Sequence, residues 1–255
     1  MPSTKELAQQ LAEAHESGDV VVLPTVWDAW SASVAVDAGF TGVSVGSHPV
    51  ADALGSADGE HMKFADYLAA VQRIVDAVPV PVSVDAESGY GLDPAELVHR
   101  LLEVGAVGVN LEDVVHSEGR RVRGRQEHAD YIAAARQAAD EADTAFVING
   151  RTDAVKLGTD HFPDPVQEAV ERIRLLEQAG ARAVYPVGLT TGEDLSRMVE
   201  AVAVPVNATA HPVEGHGSGH LSALRDLGVR RVTFGPLWQM WLAELSVGQL
   251  GKWIA

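Results

Sequence analysis

Eight apolar, β-branched runs alternate with helical patterns along this 255-residue chain, and that alternation limits the fold more than any other feature of the sequence. The runs are VVVLP (20–24), GVSVGS (42–47), PVPVSVDAE (79–87), GVNLED (108–113), FVINGRTD (146–153), AVYPVG (183–188), VPVNAT (204–209) and RRVTFGP (230–236). Short segments of this kind read as buried strands. Between them, helices are expected over 28–38, 64–77, 94–104, 128–140, 165–179, 192–201 and 217–227. Strands alternating with helices pair in parallel, because each helix carries the chain back to the same end of the sheet. Eight such units in about 250 residues match an α/β TIM (β/α)8 barrel; a doubly wound open sheet is the alternative. The punctuation agrees. Asp93-Pro94 supplies an N-cap followed by proline in the first turn, and Gly39, Gly105, Gly180 and Gly228 each stop a helix just before a strand. An amphipathic helix over 3–16 precedes the first strand, and an apolar helix over 237–254, beginning LWQMWLAEL, follows the last. No Pro-, Ser- or charge-rich linker interrupts the chain, so a single domain over 1–255 is expected.

Composition narrows the function. With no cysteine, disulfides, thiolate metal sites and cysteine catalysis are excluded. A formal charge of −17 repels nucleic acid and acidic membranes. The polar N-terminus has no apolar signal-peptide core, and no stretch reaches the length of a membrane span. The expectation is a cytoplasmic protein with a small-molecule ligand and neither nucleic-acid nor membrane partners.

In a TIM barrel the site lies at the C-terminal ends of the strands. Those ends carry Trp27 and Asp28, then Gly46-Ser47-His48 with Asp58 further along the loop, then Asp85 and Glu87, then Glu112 and Asp113, then Arg151 and Asp153, then Tyr185, then Asn207 and His211. Asp85 and Glu87 stand two apart, and alternate residues of a strand share a face, so both carboxylates are expected to face one site. Asp and Gly also simply end strands. Acids after five consecutive strands are more than turns require, and carboxylates gathered in one pocket repel one another unless a cation lies among them. Oxygen ligands of this type suit Mg²⁺, with Mn²⁺ as the alternative. His211, His216 and His220 offer a weaker, zinc-type constellation, GHGSGH (215–220) a phosphate nest, and Lys156 a Schiff-base amine lying beyond its strand.

PTVWDAWSASVAVDAGF, VDAESGYG, GVNLED and VINGRTD, in this order and at these strand ends, resemble the isocitrate lyase/phosphoenolpyruvate mutase superfamily over residues 20 to about 236. The resemblance implies a Mg²⁺ site and a 2-oxo acid or enolpyruvate substrate, with C–C or C–P bonds made or broken through an enolate. It implies Asp85 as direct metal ligand, and Glu87 and Glu112 as acids holding the metal's waters. Asp58 is the implied acid of the second loop, Ser44, Gly46 and Ser47 the loop whose amides hold a carboxylate, and Arg151 the clamp on the substrate's anionic end. Trp27 and Asn207 complete the candidate substrate pocket. It further implies a homo-oligomer, dimer or tetramer, with swapped C-terminal helices. The chain departs from the family at Glu87, where Asp is common, and at Gly46, where Ser is common. Its loop after the fourth strand, VVHSEGRRVRGRQ, lacks the lyases' Lys-Lys/Arg-Cys-Gly-His and shows no alignable Lys and Asn of the mutases. His116, Arg120, Arg121, Arg123 and Arg125 are its substitutes for a lid, and His116 its candidate proton donor. A phosphonomutase-like enzyme is therefore favoured. An isocitrate or 2-methylisocitrate lyase, an oxaloacetate decarboxylase and a barrel that only binds its ligand are the alternatives.

Overall fold

The computed structural model describes residues 2–254. In chain order its strands are β1 (Val21–Leu23), β2 (Thr25–Val26), β3 (Val43–Val45), β4 (Val82–Asp85), β5 (Gly108–Leu111), β6 (Val114–Val115), β7 (Arg121–Val122), β8 (Val147–Thr152), β9 (Ala183–Pro186), β10 (Asn207–Thr209) and β11 (Arg231–Thr233). Its helices are α1 (Thr4–Glu16), α2 (Ala29–Asp37), α3 (Ser47–Leu54), α4 (Phe64–Ala77), α5 (Pro94–Glu103), α6 (Arg125–Glu141), α7 (Ala154–Leu157), α8 (Pro165–Gln178), α9 (Gly192–Ala201), α10 (Leu221–Asp226) and α11 (Leu237–Leu250). None of the described helices is long and apolar enough to cross a membrane.

The TIM barrel is realised by eight parallel staves. Six pair in the order β2-β3-β4-β5-β8-β9, and three in the order β1-β11-β10. β1 and β2 are one stave broken at Pro24, which has no N–H to give a ladder. The Pro24 carbonyl still accepts from Ser44 N at 2.9 Å. The other join is a parallel bridge between Val184 and Val206, with Val184 N donating to the Pro205 carbonyl at 3.0 Å. The strand residues facing the helices are small and branched, and the core they build with α2, α4, α5, α6 and α8 is continuous. α1 lies on its own small cluster, where Leu7 and Leu11 meet Leu23, Val107 and Val147.

The capping signals act as read. Asp28 accepts from Ser31 N at 2.7 Å at the start of α2, and Asp93 from Ala95 N at 2.9 Å at the start of α5. Two stretches differ from expectation. Residues 47–54 form the helix α3, begun at Gly46 and closed by Gly55 in the left-handed region, where a loop was expected. The Arg-rich loop after β5 is a small antiparallel hairpin, β6–β7, that runs into α6 three residues earlier than its periodicity indicates. The expected helix over 237–254 ends as an α-helix at Leu250 and continues as a single 3-10 turn, Gly251–Trp253.

Two buried polar clusters position what lies above them. In one, Asp113 accepts from Thr152 Oγ1 at 2.6 Å, Asp153 N at 2.9 Å and Arg172 Nη1 at 3.1 Å, tying β5, β8 and α8 together. In the other, Arg231 is fully buried inside the barrel. It donates through Nε to Asn207 Oδ1 at 2.8 Å and through Nη2 to Ser83 Oγ at 3.2 Å and Asn110 Oδ1 at 3.3 Å, while Nη1 meets His15 Nε2 at 3.0 Å. Burial, then the Arg231 charge, hold the His15 imidazole down at about 3.

Candidate active site

A cavity of about 500 Å³ opens at the C-terminal ends of the staves, lined among others by Ser44, Gly46, Ser47, Asp58, Asp85, Asn110, Arg151, Tyr185, Thr209 and His211. Asp85 is the last residue of β4, one-sixth exposed, and burial raises its carboxyl to about 6 against the opposing pull of Arg151. Glu87 lies beside it for a reason other than strand alternation. The strand has ended, and Glu87 adopts φ 50, a left-handed conformation uncommon for a residue with a side chain. The turn is held by its own carboxylate, which accepts from Glu60 N at 2.7 Å and Tyr90 Oη at 2.8 Å. Burial, with smaller contributions from Asp58, Asp85 and Glu112, pushes the Glu87 carboxyl up to about 8.

Glu112 follows β5 and is 2% exposed. One carboxylate oxygen receives His116 Nε2 at 2.6 Å and the other Arg151 Nη1 at 2.7 Å. Arg151, on β8, spends its two-pronged face on Asp153, with Nε at 2.8 Å and Nη2 at 3.0 Å, and reaches Asp85 through Nη1 at 3.5 Å. The expectation of a fork offered to a ligand is thus corrected: the Nη1 side faces the acids. Ser44, Gly46 and Ser47 line the cavity, and Gly46 has no room for more. An added Cβ would sit 2.7 Å from a Thr25 methyl and 2.8 Å from the Pro49 ring.

Other expected residues fall elsewhere. Trp27 is buried edge-on against Trp238 of α11, ring centroids 5.1 Å apart, and is not a cavity wall. Asn207 belongs to the Arg231 cluster beneath the cavity and donates to Thr233 Oγ1 at 3.1 Å. His116 is turned to Glu112, with Glu87 at 3.9 Å, and does not line the cavity. Its imidazole is raised above the usual histidine value, chiefly by the Glu112 hydrogen bond. Of the arginines of the expected lid, Arg123 is buried, Arg121 and Arg125 are held in surface ion pairs, and Arg120 is exposed. Arg123 is buried over the Tyr131 ring and donates to the carbonyls of Glu112 and Ser88, Arg121 pairs with Glu118 and Glu127, and Arg125 with Glu168. Lys156 does line the cavity but holds Asp153 at 3.0 Å.

Sequence reasoning passed over Asn110 and gave His48 no role. His48 lines the cavity, its Nδ1 3.4 Å from Asp58 and its Nε2 3.4 Å from Asp52. The signal for Asn110 was available: a polar residue inside an otherwise apolar strand. The histidine trio is also settled. His211 Nδ1 accepts from Val213 N and Glu214 N, and His216 Nδ1 from Ser218 N, so these two rings each close their own turn, and among the described residues the three do not gather on one ion. Among the described residues no three His, Asp or Glu side chains converge to ligate one ion directly. A hard cation here could be held by Asp85, with Glu87 and Glu112 as the acids near it. The donors are all carboxylate oxygens, and Asp85, Glu87 and Glu112 bring three carboxylates together against the single Arg151 guanidinium, so the residues present fit such an ion.

Comparison with known proteins agrees with this geometry. The phosphoenolpyruvate phosphomutase family model matches residues 11–247. The petal death protein of Dianthus caryophyllus is 35% identical over 71% of the chain and 57% of its own length. A 2-methylisocitrate lyase of Escherichia coli is 31% identical over 56% of the chain and 49% of its own length, so the chain spans about half of these relatives. An oxaloacetate decarboxylase of Rhodopseudomonas palustris is 30% identical over 82% of the chain and 73% of its own length. The solved structure of a Burkholderia cenocepacia protein, provisionally assigned as a phosphonomutase, superposes with a TM-score of 0.86 at 36% identity, covering 97% of this chain and 99% of that one. With the barrel, the acids at its strand ends and the family match over nearly its whole length, the chain belongs to the phosphoenolpyruvate phosphomutase family of the isocitrate lyase/phosphoenolpyruvate mutase superfamily.

Proposed function

We propose that this protein is a Mg²⁺-dependent, phosphonomutase-like enzyme acting on a small 2-oxo acid or enolpyruvate, with C–P or C–C chemistry next to the keto carbon. The observation that carries the reading is the pairing of Asp85 and Arg151 on the wall of a cavity also lined by Ser44, Gly46 and Ser47, with Glu112 against Arg151 and Glu87 against Asp85 just behind that wall. Asp85 would hold the ion and Glu87 and Glu112 its waters. When bound, Mg²⁺ supplies Lewis-acid stabilisation of negative charge on the keto oxygen.

The chain's own groups do the rest. The amides at Gly46 and Ser47 open the eight-residue helix α3, whose N-terminus favours a carboxylate. Arg151 lines the cavity with its plane fixed by Asp153 and its Nη1 edge held on Glu112 and Asp85, so it places a positive charge beside the ligand. Asp58 and His48 form the pair best placed to hold or move a proton in the cavity, a role His116 cannot fill while bonded to Glu112 away from the cavity wall.

Oxaloacetate decarboxylation is the second reading. It is favoured by the Rhodopseudomonas relative and by the absence of any cysteine to protonate a departing carbon. The test is a screen of phosphoenolpyruvate, phosphonopyruvate, oxaloacetate and 2-methylisocitrate with Mg²⁺. Turnover of phosphonopyruvate, phosphoenolpyruvate or oxaloacetate is expected. Turnover of 2-methylisocitrate alone would replace this reading with the lyase one, and binding without turnover of any of them would leave a ligand-binding barrel.

A further inference from the structure

We propose that Asn110 is an oxyanion-binding residue of this site, held with its amide nitrogen toward the cavity by the buried cation Arg231. Asn110 lies in β5, in register with Asp85 on β4 and with Asn149 on β8. It lines the cavity and is 4% exposed. Its Oδ1 receives two donors, Asn149 Nδ2 at 2.9 Å and Arg231 Nη2 at 3.3 Å. Turning the amide over would set its NH₂ group against both, so the orientation is fixed by the network. Nδ2 has no acceptor among the described residues, and the cavity is where an acceptor can stand.

Arg231 gives this amide more than an orientation. None of its hydrogen-bond partners is a carboxylate, and it forms no ion pair among the described residues. A fully buried cation without a counter-charge is costly. Its donation to Oδ1 polarises the amide and strengthens the donation available from Nδ2. A negative oxygen arriving beside Asp85 therefore meets a polarised N–H on one side and lies above an unmatched positive charge. Fixed donors of this sort act where charge develops, at low reorganisation cost. The ligand class is a planar 2-oxo acid enolate or its dianionic mimic oxalate, so the inference rests on the proposed function. Asn110 touches the ligand; Arg231 is a positioning residue acting through it.

Calorimetry with Mg²⁺ followed by oxalate tests this. In Asn110→Ala, Mg²⁺ affinity should stay within about 2-fold of the parent, while oxalate affinity should fall roughly 10- to 100-fold, the worth of one hydrogen bond to a charged group. Arg231→Lys, which keeps the charge, should stay near the parent. Arg231→Gln should lose about as much as Asn110→Ala, with little added in the double variant, a non-additivity that a structural role alone would not produce. Should Arg231→Gln fail to fold, Asn110→Ala decides the matter by itself. Oxalate binding equally well to Asn110→Ala and the parent overturns the inference. A parent that binds no oxalate with Mg²⁺ overturns the proposed function, and this inference with it.

Discussion

Asp85 and Glu87 keep their protons to about pH 6 and pH 8, well above the usual carboxyl range, chiefly because both are buried. Between about pH 4 and pH 8 the native protein therefore binds more protons here than the unfolded chain, so metal-free stability falls as pH rises through that window. Mg²⁺ bound at these acids, as proposed, would displace the same protons. Its affinity should rise from pH 6 to pH 8 with proton release, read by titration calorimetry in buffers of different ionisation enthalpy; a pH-independent affinity would refute the assignment of these acids. Asp85→Ala should abolish Mg²⁺ binding and turnover while the fold persists by circular dichroism, and undiminished Mg²⁺ binding in that variant would place the ion elsewhere. Asp85, Glu112 and Arg151 were legible in the sequence because each lies at or just past the end of a strand, and a barrel gathers strand ends. Glu87 was placed correctly on a mistaken ground, since a left-handed residue past the strand follows no alternation rule. His116, Trp27 and Asn207 were misplaced because proximity to a strand end does not say which way a side chain turns. Arg231 was invisible, because a strand-borne arginine reads as solvated until its partners are known.

The Asp113 cluster shows what holds β8 beneath Arg151. Asp113→Ala would take one of the two carboxylates on Arg172, leaving Glu168, and leave Asp153 N unbonded, costing about 1–3 kcal/mol in denaturant unfolding. A loss under about 1 kcal/mol would mean that solvent reaches this cluster. At the opposite end, α1 brings His15 against Arg231. The native imidazole stays neutral to about pH 3, while an unfolded one charges near 6.5. The unfolded chain thus binds the extra proton between those values, and this group's contribution to stability is lost progressively as pH falls below about 6.5. His15→Gln should flatten that part of the thermal-unfolding profile between pH 6.5 and pH 4.5; a profile of unchanged slope would argue against it. Elements with long periodic runs were readable to within a few residues. α3 and the β6–β7 hairpin were not, since eight- and two-residue elements carry little periodicity. Only Pro49 in the first turn and Gly55 just past the end mark α3 in the sequence.

At the scale of the whole molecule, α11 has no buried residue, and Met240, Leu245, Val247 and Leu250 stand exposed along it, with Trp253 and Ile254 beyond. An apolar surface of this kind is a contact surface, and we propose a second copy of the chain as its occupant. Sedimentation at micromolar concentration should give a dimer or tetramer, and Val247→Glu with Leu250→Glu should shift it toward the mass of one chain; a monomeric parent would exclude the assembly. The stave broken at Pro24 has a consequence for how the protein is made. Its first half pairs only with β11, Val21 opposite Arg231, across nearly the full length of the chain. During synthesis that edge waits, unpaired, until the ribosome has released almost everything else. Contacts so far apart in sequence form late, so this pairing follows the more local ones. The strand that closes the ring carries Arg231, so the residue that completes the ring also completes the polar floor beneath the cavity.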